Sequence, residues 1–278
     1  MVTCGDLPYK PLNGKHLLAA NEKEIREQIC EVGKRVWLKG WVGSNDGNIS
    51  MRLGDEFIIA TPIAHSKGFL TPDMLVKIDL EGNIRSGYLK PSSEIKVHIE
   101  TYRRREDVRA VVHAHPPVST GYAVANIPLD FQTLPEVIIS LGRIPLAEYG
   151  TPSTTELSDS ISRLILCHDA ILLANHGVMT VGKDALDAYY KMERVELFAQ
   201  ISLVAYQLGG MKPISEPDIK KLETIREEFG IRIGGSACLN CGACTGTESC
   251  ERSTRSEYED IIEEITKKIM KEMDSSYT

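Results

Sequence analysis

The chain has 278 residues, 42% of them hydrophobic and 26% charged, with a formal net charge of −7; it can bury a sizeable core as one large domain or two small ones. The acidic balance argues against a general nucleic-acid binder, which carries a basic face. No apolar run approaches the roughly 18 residues of a membrane span, and Met1 to Lys15 holds no apolar signal core, so an intracellular, cytoplasmic protein is expected.

The first predicted element is a helix over Asn21 to Leu38. Asn21 and Glu24 form a capping-box pattern, and Ile25, Ile29, Val32 and Val36 recur at helical spacing. Gly40 to Gly47 is turn-rich and leads through Gly47-Asn48-Ile49-Ser50 into a strand, Ile49 to Leu53. That loop suits either a plain hairpin turn or an anion-binding backbone. Strands are predicted at Glu56 to Pro62 and Val76 to Leu80, separated by a short helical turn at Thr71 to Met74. Lys90-Pro91-Ser92-Ser93-Glu94 then opens a helix through Ile95, His98, Ile99 and Tyr102. Serines there can cap the helix or meet a phosphate, because both roles use the same place. The helix ends in Arg103-Arg104-Arg105, read as a solvated face or an interface.

Next comes Val111-Val112-His113-Ala114-His115-Pro116-Pro117. In an extended run, residues two apart point to one face, so both imidazoles converge where the prolines end the strand. A His-x-His pair on a strand end is either structural or part of a Zn²⁺ site, which needs a further nitrogen or carboxylate. Ser119 to Ala125 is predicted helical. Leu134 to Ile139 is read as a short buried strand and Pro145 to Tyr149 as the approach to a turn. A helix capped by Thr154 or Thr155 runs through Leu157, Ile161 and Leu164. Ala170 to Ala174 has the length of a core strand and ends in Asn175-His176-Gly177, which makes His176 a candidate third metal ligand. A long amphipathic helix follows from about Asp184 to Leu208.

Gly47-Asn48-Ile49-Ser50, Pro91-Ser92-Ser93-Glu94, His113-Ala114-His115 and Leu173-Ala174-Asn175-His176-Gly177, in this order, resemble the class II aldolase/adducin family over roughly residues 21–208. The resemblance is to its sugar-phosphate aldolases. It implies an α/β fold, a three-layer α/β/α sandwich around a largely antiparallel sheet, in ring-shaped homotetramers with active sites between subunits. It also implies that His113, His115 and His176 hold Zn²⁺ or another divalent metal, with Glu94 as fourth, displaceable ligand and acid/base. Asn48, Lys67, Gly68, Ser92 and Ser93 would meet the substrate phosphate. Lys67-Gly68 stands where the aldolases have a Thr-Gly pair, and Glu136-Val137 stands about where they carry a tyrosine. Glu136 reads as a strand-edge carboxylate. The implied reaction is cleavage of a deoxyketose 1-phosphate to dihydroxyacetone phosphate and lactaldehyde. Methylthioribulose-1-phosphate dehydratases and ribulose-phosphate epimerases are rival activities. An adducin-like scaffold would lack the metal histidines.

Residues 1–211 are therefore expected to form the catalytic domain. In 212–250, Cys238, Cys241, Cys244 and Cys250 could hold an Fe–S cluster or a second Zn²⁺. In 251–278, a polar linker precedes a stripe of Tyr258, Ile261, Ile262, Ile265, Ile269 and Met273. Residues 257–273 resemble encapsulation peptides that engage shell proteins of bacterial microcompartments, which would place the enzyme in a compartment lumen.

Overall fold

A computed structural model describes residues 21–231. The expectations for Cys238, Cys241, Cys244 and Cys250, and for the helix at 257–273, lie outside the described residues.

The sequence builds one eight-stranded sheet, in the order β4-β3-β2-β1-β5-β8-β7-β6. The strands are β1 (Asn48–Leu53), β2 (Phe57–Ala60), β3 (Val76–Asp79), β4 (Ile84–Ser86), β5 (Ala110–Ala114), β6 (Leu146–Ala147), β7 (Ala170–Leu173) and β8 (Gly177–Gly182). Every pairing is antiparallel except β6 with β7. The helices are α1 (Glu22–Leu38), α2 (Ile95–Arg104), α3 (Pro117–Val124), α4 (Pro135–Ser140), α5 (Thr155–Ile161), α6 (Ala185–Gln207) and α7 (Glu216–Glu228).

Period-2 alternation divides the sheet into two apolar faces. Val112 and Ala114 of β5 join Ile25, Ile29, Val32 and Val36 of α1 and Val195 and Phe198 of α6. Val111 packs on the other face with Val97, Ile99 and Tyr102 of α2 and Leu157 and Ile161 of α5. The result is the expected three-layer α/β/α sandwich. His113 shares the α2 face with Val111, two residues before it. No helix among the described residues is long and apolar enough to cross a membrane.

Local chemistry explains the element ends. Asn21 and Glu24 close a reciprocal capping box at α1. Thr154 caps α5, and Asp184 caps α6 through the backbone N–H of Asp187. Pro116 is the N-cap of α3 and Pro117 its first helical residue, so β5 stops at Ala114 and leaves His115 at its exit. Beyond α6, α7 buries Ile219, and Ile214 donates its N–H to Gln132 O.

The structure corrects several sequence expectations. Leu134 to Ile139 is not a strand: Pro135 opens α4, which buries Val137 and Ile138, with Leu141 buried just beyond its end. Its Val-Ile-Ile run is strand-like only in composition. Glu136 is accordingly an exposed residue of a first helical turn, not a strand-edge carboxylate. The segment Gly177–Gly182 is a strand that the pattern concealed, because every residue in it is buried and no polar face alternates. Arg105 is no surface charge. It is 5% exposed and paired with Asp107 and Asp169, the latter itself buried.

Candidate metal centre

The site forms where β1, β5 and the start of α2 meet. Asn48 of β1 is the register partner of His113 on β5, and Glu94 immediately precedes α2. His176 sits in the tight turn between β7 and β8, one residue after Asn175, whose φ is 56°. Four chain segments distant in sequence therefore deliver their side chains to one point.

At that point one ring nitrogen from each of His113, His115 and His176 lies within 4.8 Å of the others. His113 Nδ1 donates to Val178 O at 2.9 Å. That bond sets the tautomer and leaves the Nε2 lone pair free, as in metal-ligating histidines. The Nε2 atoms of His113 and His115 are 3.2 Å apart. Two imidazole nitrogens on a tetrahedral Zn²⁺ would stand about 3.3 Å apart. Burial, reinforced by the neighbouring imidazoles, drives His113 well below the ordinary histidine range and lowers His115 too. Both shifts favour the neutral ring, the form that binds a metal. His176 Nδ1 is buried and finds no hydrogen-bond partner among the described residues. The donor set fits a divalent ion of the zinc type.

Gly177 makes room for this cluster. A Cβ there would lie 2.5 Å from His115 Cδ2 and 2.7 Å from Ala114 O, closer than real side chains approach. Gly47, at φ 72°, is likewise required: a Cβ would meet Val42 at 2.7 Å and His113 O at 2.8 Å.

Glu94 completes the cluster. Its Oε1 is 3.3 Å from His176 Nε2 and its Oε2 is 3.6 Å from His113 Nε2. Asn48 Nδ2 donates to Glu94 Oε2 at 2.7 Å. Glu94, Asn48 and His176 open into a cavity of about 170 Å³ lined also by Asp46, Ala64, Lys67, Ser92, Ser93 and His115. A larger depression of about 590 Å³ lies among Asp55, Lys77, Asp79, Glu81 and Arg85. It contains no histidine; the smaller cavity is the one lined by Glu94, His115 and His176.

Most of the anticipated phosphate residues share that cavity. Lys67 is buried, and its Nζ donates to Asn45 O at 2.8 Å and His65 O at 2.7 Å. Among the described residues no carboxylate lies within ion-pairing distance of this ammonium. Burial lowers its pKa to about 8, while Asp46 and Glu94 oppose the shift. The helix N-cap is Glu94, which makes no side-chain capping bond. Ser92 Oγ accepts only a long 3.4 Å bond from Glu94 N, which leaves it free to meet a ligand. Gly68 does not line the cavity; it lies against Trp37, whose ring atoms a Cβ would meet at 2.5 Å. From this loop Pro62, Ile63, Ala64 and Lys67 line the cavity, with Ala64 at φ 60°. The sequence did not single out Asp46 or Ala64, which line the cavity, or His98, whose ring is bonded to Asn48. None of them carries a pattern, and only the folded cavity, a positive φ or a buried bond reveals them.

Residues 27–203 match the class II aldolase and adducin N-terminal domain. The chain belongs to this family. An L-fuculose phosphate aldolase of Methanocaldococcus jannaschii is 34% identical over 179 residues, covering 64% of this chain and 96% of the relative. A 3-oxo-tetronate 4-phosphate decarboxylase of Pectobacterium atrosepticum is 30% identical over 197 residues, covering 69% of this chain and 89% of the relative. Among solved structures, an L-fuculose 1-phosphate aldolase superposes with a TM-score of 0.69 at 26% identity, covering 78% of this chain and all of that one (100%). Class II aldolases are typically divalent-metal dependent, and this chain carries a cluster of three histidines.

Proposed function

We propose that this class II aldolase cleaves a deoxyketose 1-phosphate, with L-fuculose 1-phosphate as the favoured substrate, to dihydroxyacetone phosphate and lactaldehyde. The observation that carries the reading is Glu94 set against the three-histidine cluster, 3.3 Å from His176 Nε2, in a cavity that also holds Lys67 and two serines. His113, His115 and His176 would hold Zn²⁺, which when bound would supply Lewis-acid polarisation of the substrate carbonyl.

The chain's own groups supply the rest. Lys67 Nζ and the hydroxyls of Ser92 and Ser93 form a polar cradle suited to a phosphate, with Asn48 at its inner edge. The cradle fixes the ketone half of the substrate and presents its carbon to Glu94. When the C3–C4 bond breaks, the C4 hydroxyl gives its proton to the Glu94 carboxylate, and the electron pair of the bond stays on C3. Glu94, protonated, returns a proton to C3, and in the condensation direction its carboxylate removes that proton.

A second reading rests on the 30% identity to a 3-oxo-tetronate 4-phosphate decarboxylase. Loss of CO₂ from a 3-keto acid also leaves an electron pair beside a carbonyl, so one site geometry serves both reactions. The deciding experiment incubates the purified protein with L-fuculose 1-phosphate, L-rhamnulose 1-phosphate, ribulose 5-phosphate, methylthioribulose 1-phosphate and 3-oxo-tetronate 4-phosphate, each with and without a chelator. Turnover of the fuculose ester to dihydroxyacetone phosphate supports the proposal. Preference for the keto acid, with CO₂ release, replaces it with the decarboxylase.

We also infer a homotetramer. The support is the apolar outer side of α6, where Leu197, Val204 and Leu208 are exposed in the single chain. From sequence alone we infer that residues 257–273 address the enzyme to a microcompartment shell. On the same footing, Cys238, Cys241, Cys244 and Cys250 bind a second metal or an Fe–S cluster.

A further inference from the structure

Beneath Glu94 lies a buried polar chain with no part of its own in the chemistry above. Asn48 and Ser50, two apart on β1, face His98 and Tyr102, four apart on α2. His98 Nε2 is 2.5 Å from Asn48 Oδ1, and its Nδ1 is 2.6 Å from Ser50 Oγ. Ser50 Oγ is in turn 2.8 Å from the Tyr102 hydroxyl. His98 is 1% exposed and Ser50 and Tyr102 are fully buried.

The end at Glu94 sets the direction of every bond. A carboxylate only accepts, so Asn48 turns its Nδ2 to Glu94 and its Oδ1 inward. Asn48 Oδ1 needs a donor, so His98 carries its proton on Nε2. Burial depresses the imidazole pKa to about 3, and the ring stays neutral. Its Nδ1 therefore accepts from Ser50, and the Ser50 oxygen accepts from Tyr102.

We propose that His98 is a positioning residue: by donating to Asn48 Oδ1 it fixes the amide so that Nδ2 occupies Glu94 Oε2 and leaves Oε1 to exchange the substrate proton. This rests on the reading of Glu94 as the acid/base. The opposite amide orientation would set a carbonyl oxygen against the carboxylate and push it out of place. His98, Ser50 and Tyr102 are all buried, so no water replaces His98 as donor without opening the core.

The test is a double-mutant cycle on the metal-loaded full chain, with His98→Phe, Asn48→Ala and the pair. His98→Phe should keep its metal and lose about tenfold or more in kcat, the scale of outer-shell substitutions at metal sites. The double variant should be no slower than Asn48→Ala alone, because His98 acts through Asn48. His98→Gln, which keeps a donor, should recover part of the loss. Independent, multiplying losses overturn the proposal. If His98→Phe does not fold, Ser50→Ala in the same cycle replaces it. A second readout needs no substrate: ¹⁵N spectra of labelled histidine should show His98 as the neutral Nε2–H tautomer at pH 7. An Nδ1–H tautomer or an imidazolium there overturns the relay. Inactivity on every substrate tested sinks the aldolase reading alone, and the spectrum then decides the relay.

Discussion

Asn48 on β1 and His113 on β5 are antiparallel register partners, and Asn48 also holds Glu94 Oε2 at 2.7 Å. One backbone pairing thus ties the candidate base to the candidate metal ligand. A slip of one residue would turn Asn48 to the opposite face of the sheet, so the register of two central strands is itself part of the site.

Replacing Glu94 by Gln should separate metal binding from proton transfer. The amide oxygen can still accept from Asn48, and the histidines are untouched. Metal content should stay at the wild-type level while turnover falls by about 10²–10⁴. Near-normal turnover would assign the proton to another group.

His113→Ala removes the most deeply buried nitrogen of the cluster. Removing outer-shell partners alone costs about 10–100-fold in metal affinity, so loss of a ligand should cost at least that. Elemental analysis after dialysis checks it, and full retention of metal would show that the ion sits elsewhere.

Gly177→Ala places a methyl 2.5 Å from His115 Cδ2. The ring or the strand must move, at about 1–3 kcal/mol for an overpacked site. A lowered melting temperature and weakened metal binding are expected together. An unchanged metal affinity would show that the turn, not the cluster, absorbs the strain.

The predicted capping box and the His-x-His face were legible because local pattern alone decides them: Asn21 to Glu24 is one turn, and His113 to His115 is one pleat. The sandwich followed from the resemblance carried by four short motifs. What stayed hidden depended on tertiary partners. α4 carries strand-like residues but takes the helix that Pro135 starts. β8 is buried on both sides and shows no alternation. Arg105 looked like part of a basic surface run, yet Asp169 draws it inside. Ala64 replaced Gly68 as a cavity residue through a backbone angle that its side chain does not announce.

Lys67 gives the site a pH dependence of defined sign. Its pKa of about 8 means the ammonium is present below that pH and lost above it. KM for a phosphorylated substrate should therefore rise as pH passes 8, and Lys67→Met should raise KM at pH 7 and flatten this limb. Because burial puts the folded pKa below the unfolded one, near 10.4, the folded state disfavours the proton. The protein's stability should increase from pH 8 to about 10, relative to Lys67→Met. A KM that is flat across pH 8 in the wild type would remove Lys67 from the phosphate cradle.

Ending the chain before Glu257 tests the address. Metal content and turnover should be unchanged, while recruitment to a shell is lost. A fluorescent protein carrying residues 257–273 should enter compartments, and Ile262→Asp with Ile265→Asp should prevent it, since charges in a buried stripe are costly. Loss of activity or of the oligomer on truncation would make the segment part of the enzyme's own packing.

In the proposed reaction Glu94, set against the histidine cluster, moves a proton on the carbon beside a phosphorylated ketone. Solvent deuterium exchange into dihydroxyacetone phosphate, followed by NMR with no aldehyde present, measures that step directly. The metal-loaded protein should exchange one C3 proton stereospecifically, and both Glu94→Gln and a chelator should abolish the exchange. Exchange that persists in the Glu94→Gln variant, or its absence in the metal-loaded wild type, would contradict the account.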